Sequence, residues 1–232
     1  MTHGDAFPIK ICGLSTPETL EAALAAGADM IGLNFHPKSP RYVTPQRAAE
    51  LADQARGRTG IVALVVDYTP EQAAELVRIV RPDWMQLHGK ETPEQVAAIK
   101  AATGLPVMKA LGVATAADLD QVALYHGVAD AILLDAKPPK DAAYPGGHGK
   151  PFDWNLVAGL DPALAFMLSG GLDPANVSQA IGVVRPAGVD VSSGVERAPG
   201  VKDIGRISEF VRAARAAAKA LNDDQLKKAG QA

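Results

Sequence analysis

GIVALVVDYTPEQAAELVRIVRPDWMQLHGKETPEQVAAIKAATGLPVMKALG, residues 60–112, is the stretch whose reading decides the fold. Three short apolar runs stand in it, GIVALVV (60–66), WMQLH (84–88) and PVMKALG (106–112). Each is too short for a helix and rich enough in apolar or β-branched residues for a buried strand. Between them lie TPEQAAELVRIV and TPEQVAAIKAATG, Ala/Glu-rich segments whose apolar residues recur at helical spacing. Thr69 and Thr92 are placed to accept from the first turn of each helix, and the proline that follows fits the first helical position. Strands that are apolar throughout and alternate with helices imply a parallel sheet covered on its outer face.

The same alternation extends in both directions. FPIKIC (7–12) and DMIGLNF (29–35) precede the stretch, and AILLD (131–135), LAFMLS (164–169) and GVDVSS (188–193) follow it. STPETLEAALAAG repeats the helix design, with Thr16 as N-cap, Pro17 at the first position and Gly27 as terminator. LDPANVSQAIG repeats it again, with Asp173 before Pro174. Eight strand–helix units match a closed (β/α)8, or TIM, barrel better than an open sheet. A doubly wound dinucleotide fold should carry G-x-G-x-x-G after its first strand, and KICGLSTPE does not. The expected fold is therefore a single-domain α/β TIM barrel over residues 1–232, its core at about 8–217. A polar tail from about 222 is expected to fray, and the Pro/Gly-rich segment from Lys137 to Pro151 reads as an active-site loop.

Bulk properties exclude several functions. The chain of 232 residues is 47% apolar, enough to fill one sizeable core. A net charge of −3 with no long basic run argues against nucleic acid, and no apolar stretch reaches the ~20 residues that span a bilayer. MTHGDAFPIK has no basic region followed by an apolar run, so no secretory leader is expected. One cysteine cannot form an internal disulfide, which fits the cytoplasm. The five histidines (His3, His36, His88, His126, His148) and Cys12 show no metal-ligand spacing, so no metal is expected. Scarce aromatics give no obvious interface, which leaves monomer and homodimer open.

In a TIM barrel the active site lies at the C-terminal ends of the strands. Cys12 ends the first strand and Asp135 the sixth. Lys10 and Asp190 lie within the first and eighth, and Gln86 and His88 are near the end of the fourth; these four are expected to contact the substrate. Cys12 reads either as a buried inert thiol or as a base. Lys10 on the same strand face and a helix start after Gly13 would lower its pKa and favour the second. Asp135, directly after an apolar run, must be paired or take a raised pKa, and in the latter case it would serve as a general acid. LSGGLDP after strand seven and DVSSGVERAPG after strand eight occupy the usual phosphate-binding position of this fold. Gly170, Gly171, Ser192, Ser193 and Gly194 are the residues expected to supply it, with Asp190 near a sugar hydroxyl. Arg41, in HPKSPRYV, reads equally as a solvated arginine or as a fork for a substrate carboxylate.

KICG (10–13), GADMIGLNFHPKSPRYV (27–43), MQLHGKE (85–91), AILLDAK (131–137), YPGGHGKPFDW (144–154), LSGGLDP (168–174) and VDVSSGVERAPGVKD (189–203), taken in order, resemble the phosphoribosylanthranilate isomerase family of tryptophan biosynthesis. The resemblance covers roughly residues 8–217. It implies a cofactor-free Amadori rearrangement of N-(5′-phosphoribosyl)anthranilate, with Cys12 as general base and Asp135 as general acid. It also implies Arg41 on the anthranilate carboxylate and the two turns on the phosphate. The chain departs from the family pattern at Asp67, where asparagine is usual, and at His148, where threonine is common. Two other readings compete. One is another phosphosugar barrel enzyme, such as an indole-glycerol-phosphate synthase-like lyase or a histidine-pathway isomerase. The other is a non-catalytic barrel that binds a phosphate ligand.

Overall fold

Eight parallel strands close on themselves in a computed structural model that describes residues 7–137, 146, 152–158, 160 and 164–229. Each strand pairs with the next in sequence, and β8 returns to β1 with Lys10 opposite Asp190. The strands are β1 (Ile9–Cys12), β2 (Met30–Asn34), β3 (Gly60–Val65), β4 (Trp84–Leu87), β5 (Val107–Val113), β6 (Ala131–Ala136), β7 (Phe166–Leu168) and β8 (Gly188–Val191). The helices between them are α1 (Pro17–Ala26), α2 (Pro45–Ala55), α3 (Pro70–Val80), α4 (Pro93–Thr103), the short α5 (Val122–Tyr125) and α6 (Asn155–Ala158), and α7 (Val177–Val184). After β8 a 3-10 turn (Ser193–Val195) leads into a small antiparallel hairpin, β9 (Glu196–Ala198) and β10 (Val201–Lys202). The last helix is α8 (Ile204–Ala229).

Four helices start by one device. Thr16, Thr44, Thr69 and Thr92 each accept from the N–H three residues on, and each precedes a proline at the first helical position. Such caps contribute about 1 kcal/mol each. The sequence signal for α7 misplaces its start. Asp173 does cap, but it caps a turn, its Oδ1 accepting from Ala175 N–H and Asn176 N–H. The helix proper begins at Val177. The expected frayed tail is also corrected. Nothing between Ile207 and Ala229 breaks a helix, and α8 runs on through Leu221, with Arg185 Nη2 3.8 Å from Asp224. Its Ile207, Phe210, Val211, Ala214 and Ala218 form the buried stripe.

A repeated carboxylate pins the N-terminal ends of the strands. Asp29, Asp83 and Asp130 each donate their N–H to the first residues of the preceding strand (Ile9, Ile61 and Val107). Each also accepts that same residue's N–H on Oδ2 at 2.8 Å. Ala187 makes the backbone half of this clasp with Phe166 and lacks the carboxylate. The barrel is thus built of strand pairs fastened at the bottom, which leaves the top free for chemistry.

Inside the barrel, Met30, Trp84, Met108, Ala110, Ala131, Leu133 and Met167 fill the lower layers. The larger apolar cluster packs between sheet and helices. By the two-residue period of strands, the inward positions above that plug are Cys12, Gln86, Asp135 and Asp190. The fold therefore brings to one end the residues that the sequence had scattered.

Candidate active site

A cavity opens at the C-terminal ends of the strands. Cys12, Arg41, Gln86, His88, Asp135, Gly170, Gly171, Asp190, Ser192 and Ser193 all line it, as do Asn34 and Ser169, which sequence reasoning did not single out. Ten of the twelve expected site residues thus meet in one space. The two others behave differently. Lys10 is fully buried below the cavity, its Nζ 2.8 Å from Asp190 Oδ1, so the expected substrate contact is corrected to an electrostatic part. Gly194 is not in the lining; its lack of a side chain lets the turn after β8 close onto the Leu172 carbonyl of the turn after β7.

Cys12 reverses one expectation. Its thiol pKa is raised, chiefly because the group is buried and cannot be hydrated as a thiolate. Lys10 works the other way, Asp190 adds to the rise, and Lys202 opposes it. The helix dipole invoked from the sequence is not adjacent either, since α1 begins at Pro17 behind the Thr16 cap. Lys10 itself is kept protonated: burial disfavours its charge, but Asp190 and Cys12 overcome that and its pKa is raised.

Asp135 is paired. Its Oδ1 accepts the Ala136 N–H at 2.8 Å, and its Oδ2 lies 3.3 Å from His88 Nε2. On the other side of the imidazole, Nδ1 is 3.4 Å from Gln86 Nε2. Gln86 Oε1 is buried with no hydrogen-bond partner among the described residues, though its side chain faces the cavity. An orphaned acceptor in a reaction cavity is a place for a substrate donor. Gly146 lies over this pair, close to Asp135 Oδ2 and the His88 ring. The remainder of the expected active-site loop, 138–145 and 147–151, lies outside the described residues, and His148 with it.

Around β7 and β8, Gly170 adopts φ +85 and backs onto the Ala136 amide, a close approach that only glycine permits. Ser192 Oγ donates to the Cys12 carbonyl at 3.1 Å, tying this turn to the strand that bears the thiol. Arg41 is neither solvated nor simply waiting for a carboxylate. It is buried, and its Nε and Nη2 grip Glu196 at 2.7 and 2.9 Å. Glu196 in turn meets Lys202 Nζ at 2.9 Å. Neither Glu196 nor Lys202 was anticipated. The signal was present in ERAPGVK, where a Pro-Gly turn makes a hairpin and sets 196 opposite 202. The departure at Asp67 lies behind the site. Its φ of 51 suits an Asx residue, its Oδ1 accepts from Lys90 N–H, and its own N–H binds Glu91.

Comparison with known proteins settles the family. The family model described as N-(5′-phosphoribosyl)anthranilate (PRA) isomerase matches residues 9–213. The chain belongs to this isomerase family. A relative named N-(5′-phosphoribosyl)anthranilate isomerase from Afipia carboxidovorans is 60% identical over 209 residues, which is 90% of this chain and 89% of the relative. The crystal structure of phosphoribosyl anthranilate isomerase from Thermotoga maritima superposes with a TM-score of 0.82 at 37% identity, covering 91% of this chain and 100% of that one. Another isomerase structure, solved in complex with reduced 1-(o-carboxyphenylamino)-1-deoxyribulose 5-phosphate, superposes at 0.78 with 35% identity, again over 91% and 100% of the two chains. The closed barrel expected for the isomerase family is the one found. Among the described residues no cluster of His, Cys, Asp and Glu is set to hold a metal ion. No helix among them is long and apolar enough to cross a membrane.

Proposed function

We propose that this chain converts N-(5′-phosphoribosyl)anthranilate into 1-(o-carboxyphenylamino)-1-deoxyribulose 5-phosphate, with Cys12 as base and Asp135 as acid. The observation that carries the reading is that a thiol on β1 and a carboxyl on β6 open onto one cavity walled by the turns after β7 and β8. In this mechanism Asp135 delivers a proton to the furanose ring oxygen. The C1′–O bond breaks, and the nitrogen lone pair forms the Schiff base. The Cys12 thiolate then removes the proton from C2′, and the released pair makes the enolamine and neutralises the nitrogen. Proton return at C1′ and loss of the 2′-hydroxyl proton give the ketone, so no net oxidant is needed.

His88 holds the Asp135 carboxyl in place, and Gln86 Oε1 accepts from a substrate hydroxyl or amine. Asp190, already engaged with Lys10 and Ser169 Oγ, takes a ribose hydroxyl at the cavity floor. The backbone N–H groups around Gly170, Gly171, Ser192 and Ser193 take the 5′-phosphate. Arg41, which Glu196 holds by its Nε and Nη2, meets the anthranilate carboxylate at the cavity wall. The test is complementation of a tryptophan auxotroph that lacks this isomerase. Growth with the wild-type chain and none with Cys12→Ala or Asp135→Asn is expected; growth with either variant overturns the assignment of roles.

A further inference from the structure

The segment between the phosphate turn and α8 has no part in the mechanism above, yet it carries two buried charges. Glu196 and Lys202 face each other across the β9–β10 hairpin, their side chains almost wholly enclosed. Glu196 makes a two-pronged pair with Arg41, meets Lys202 Nζ, and accepts the Gly200 N–H on Oε2. Lys202 Nζ continues to Ser192, at 2.8 Å from its carbonyl oxygen and 3.2 Å from its Oγ. Gly200 packs against the Pro40 carbonyl, so the hairpin also presses on the loop that presents Arg41.

One feature separates this from an ordinary stabilising ion pair. The cluster is continuous, since Arg41 lies at one wall of the cavity and Ser192 at another, with no gap between them in the chain of contacts. Burial lowers the Lys202 pKa although Glu196 raises it, so the pairing only partly offsets the cost of enclosing the cation.

On the functional reading above, we propose that Glu196 and Lys202 are positioning residues that join the two anion-binding ends of the site. Glu196 aims the Arg41 guanidinium at the substrate carboxylate. Lys202 holds the Ser192 carbonyl and hydroxyl so that the turn presents its N–H groups to the phosphate, and it supplies the positive charge behind them. The two ends therefore bind with one geometry, and substrates that carry both a carboxylate and a phosphate at the matching span are favoured.

The experiment compares wild type, Lys202→Met and Glu196→Gln in turnover, with inorganic phosphate and anthranilate as competing probes. Losing a hydrogen bond to a charged group predicts a KM raised about tenfold or more in each variant. In Glu196→Gln the kcat at saturation should stay within about threefold, because that residue touches no reacting atom; Lys202→Met also removes a charge that lowers the Cys12 pKa, so it is judged by KM and phosphate inhibition. Lys202→Met should weaken phosphate inhibition alone, whereas Glu196→Gln, which keeps the side-chain volume, should weaken both probes. A folded variant with lowered Tm but wild-type KM and wild-type inhibition would overturn the proposal. If Lys202→Met does not fold, the isosteric Glu196→Gln decides by the same criterion. A wild-type chain that binds phosphate without turnover would instead remove the functional reading. The phosphate-induced rise in Tm, lost in both variants if the network is real and kept if it is not, then decides this proposal separately.

Discussion

Replacing Gly194 by alanine puts the joint between the two turns proposed to hold the phosphate under direct test. A methyl carbon built on Gly194 would lie 1.8 Å from the Leu172 carbonyl oxygen, 2.8 Å from its carbon and 3.0 Å from Asp173 Cα. All three are backbone atoms, so no side chain can swing aside. Restoring ordinary contact requires the turns after β7 and β8 to part by more than an ångström. Overpacking of this kind costs about 1–3 kcal/mol of stability, and a misplacement of about 1 Å at a binding constellation costs on the order of 100-fold in rate. The loss should fall on kcat/KM, measured from the decay of anthranilate-ring fluorescence, together with weaker inhibition by inorganic phosphate. Circular dichroism should show the barrel intact with Tm lowered by about 2–4 °C per kcal/mol. If Gly194→Ala keeps kcat/KM within about twofold of wild type, then the two turns do not act as one cradle, and the reasoning fails.

Three further outcomes are expected. Burial raises the Cys12 thiol pKa, with Lys10 and Lys202 only partly opposing it; with the thiolate as the proposed base, kcat/KM should still climb with pH above ~8.5, and a profile already flat at pH 7 contradicts this. Arg41→Ala should raise KM about tenfold or more through loss of a charge-assisted contact, and an unchanged KM removes the carboxylate role. Asp130→Ala leaves the buried Val107 N–H unpaired and should cost about 1–2 kcal/mol in denaturant unfolding at pH 7. Although burial works against it, Lys100 and the Val107 N–H hold the Asp130 pKa below the usual value. Its stabilisation is therefore present above the ordinary carboxylate pKa and lost as acid protonates it, so mutant and wild type should converge in acid; an equal gap at pH 7 and pH 3 refutes the pin.

The barrel was legible because its elements announce themselves locally. Threonine–proline starts mark the helices, and apolar runs mark strands that are buried on both faces. What could not be read locally was what tertiary contact decides. Asp173 looked like a helix cap because Pro174 follows it, but the chain first makes a turn whose N–H groups compete for the carboxylate. The clasps of Asp29, Asp83 and Asp130 gave no local signal, since their partners lie about 20 residues back in the chain.

The site was legible in its outline for a different reason: strand ends in a barrel share one rim, so position alone nominated Cys12, Asp135 and the two turns. The direction of the Cys12 shift was misread because the neighbouring cation is visible in the sequence and the depth of burial is not. Arg41 showed its charge but not its partner, and Glu196 and Lys202 were hidden in a hairpin that only pairing makes intelligible. Lys10 marks the limit of strand alternation, which gives a side chain its face and leaves its height in the barrel unstated.

The central claim is that Cys12 takes the C2′ proton and Asp135 delivers one to the ring oxygen. It is tested most directly by fluorescence-monitored turnover of N-(5′-phosphoribosyl)anthranilate by purified wild type, Cys12→Ala and Asp135→Asn, with inorganic phosphate binding measured on the same samples. The account predicts turnover by wild type only and near-equal phosphate binding by all three; turnover at wild-type rate in either variant would contradict it.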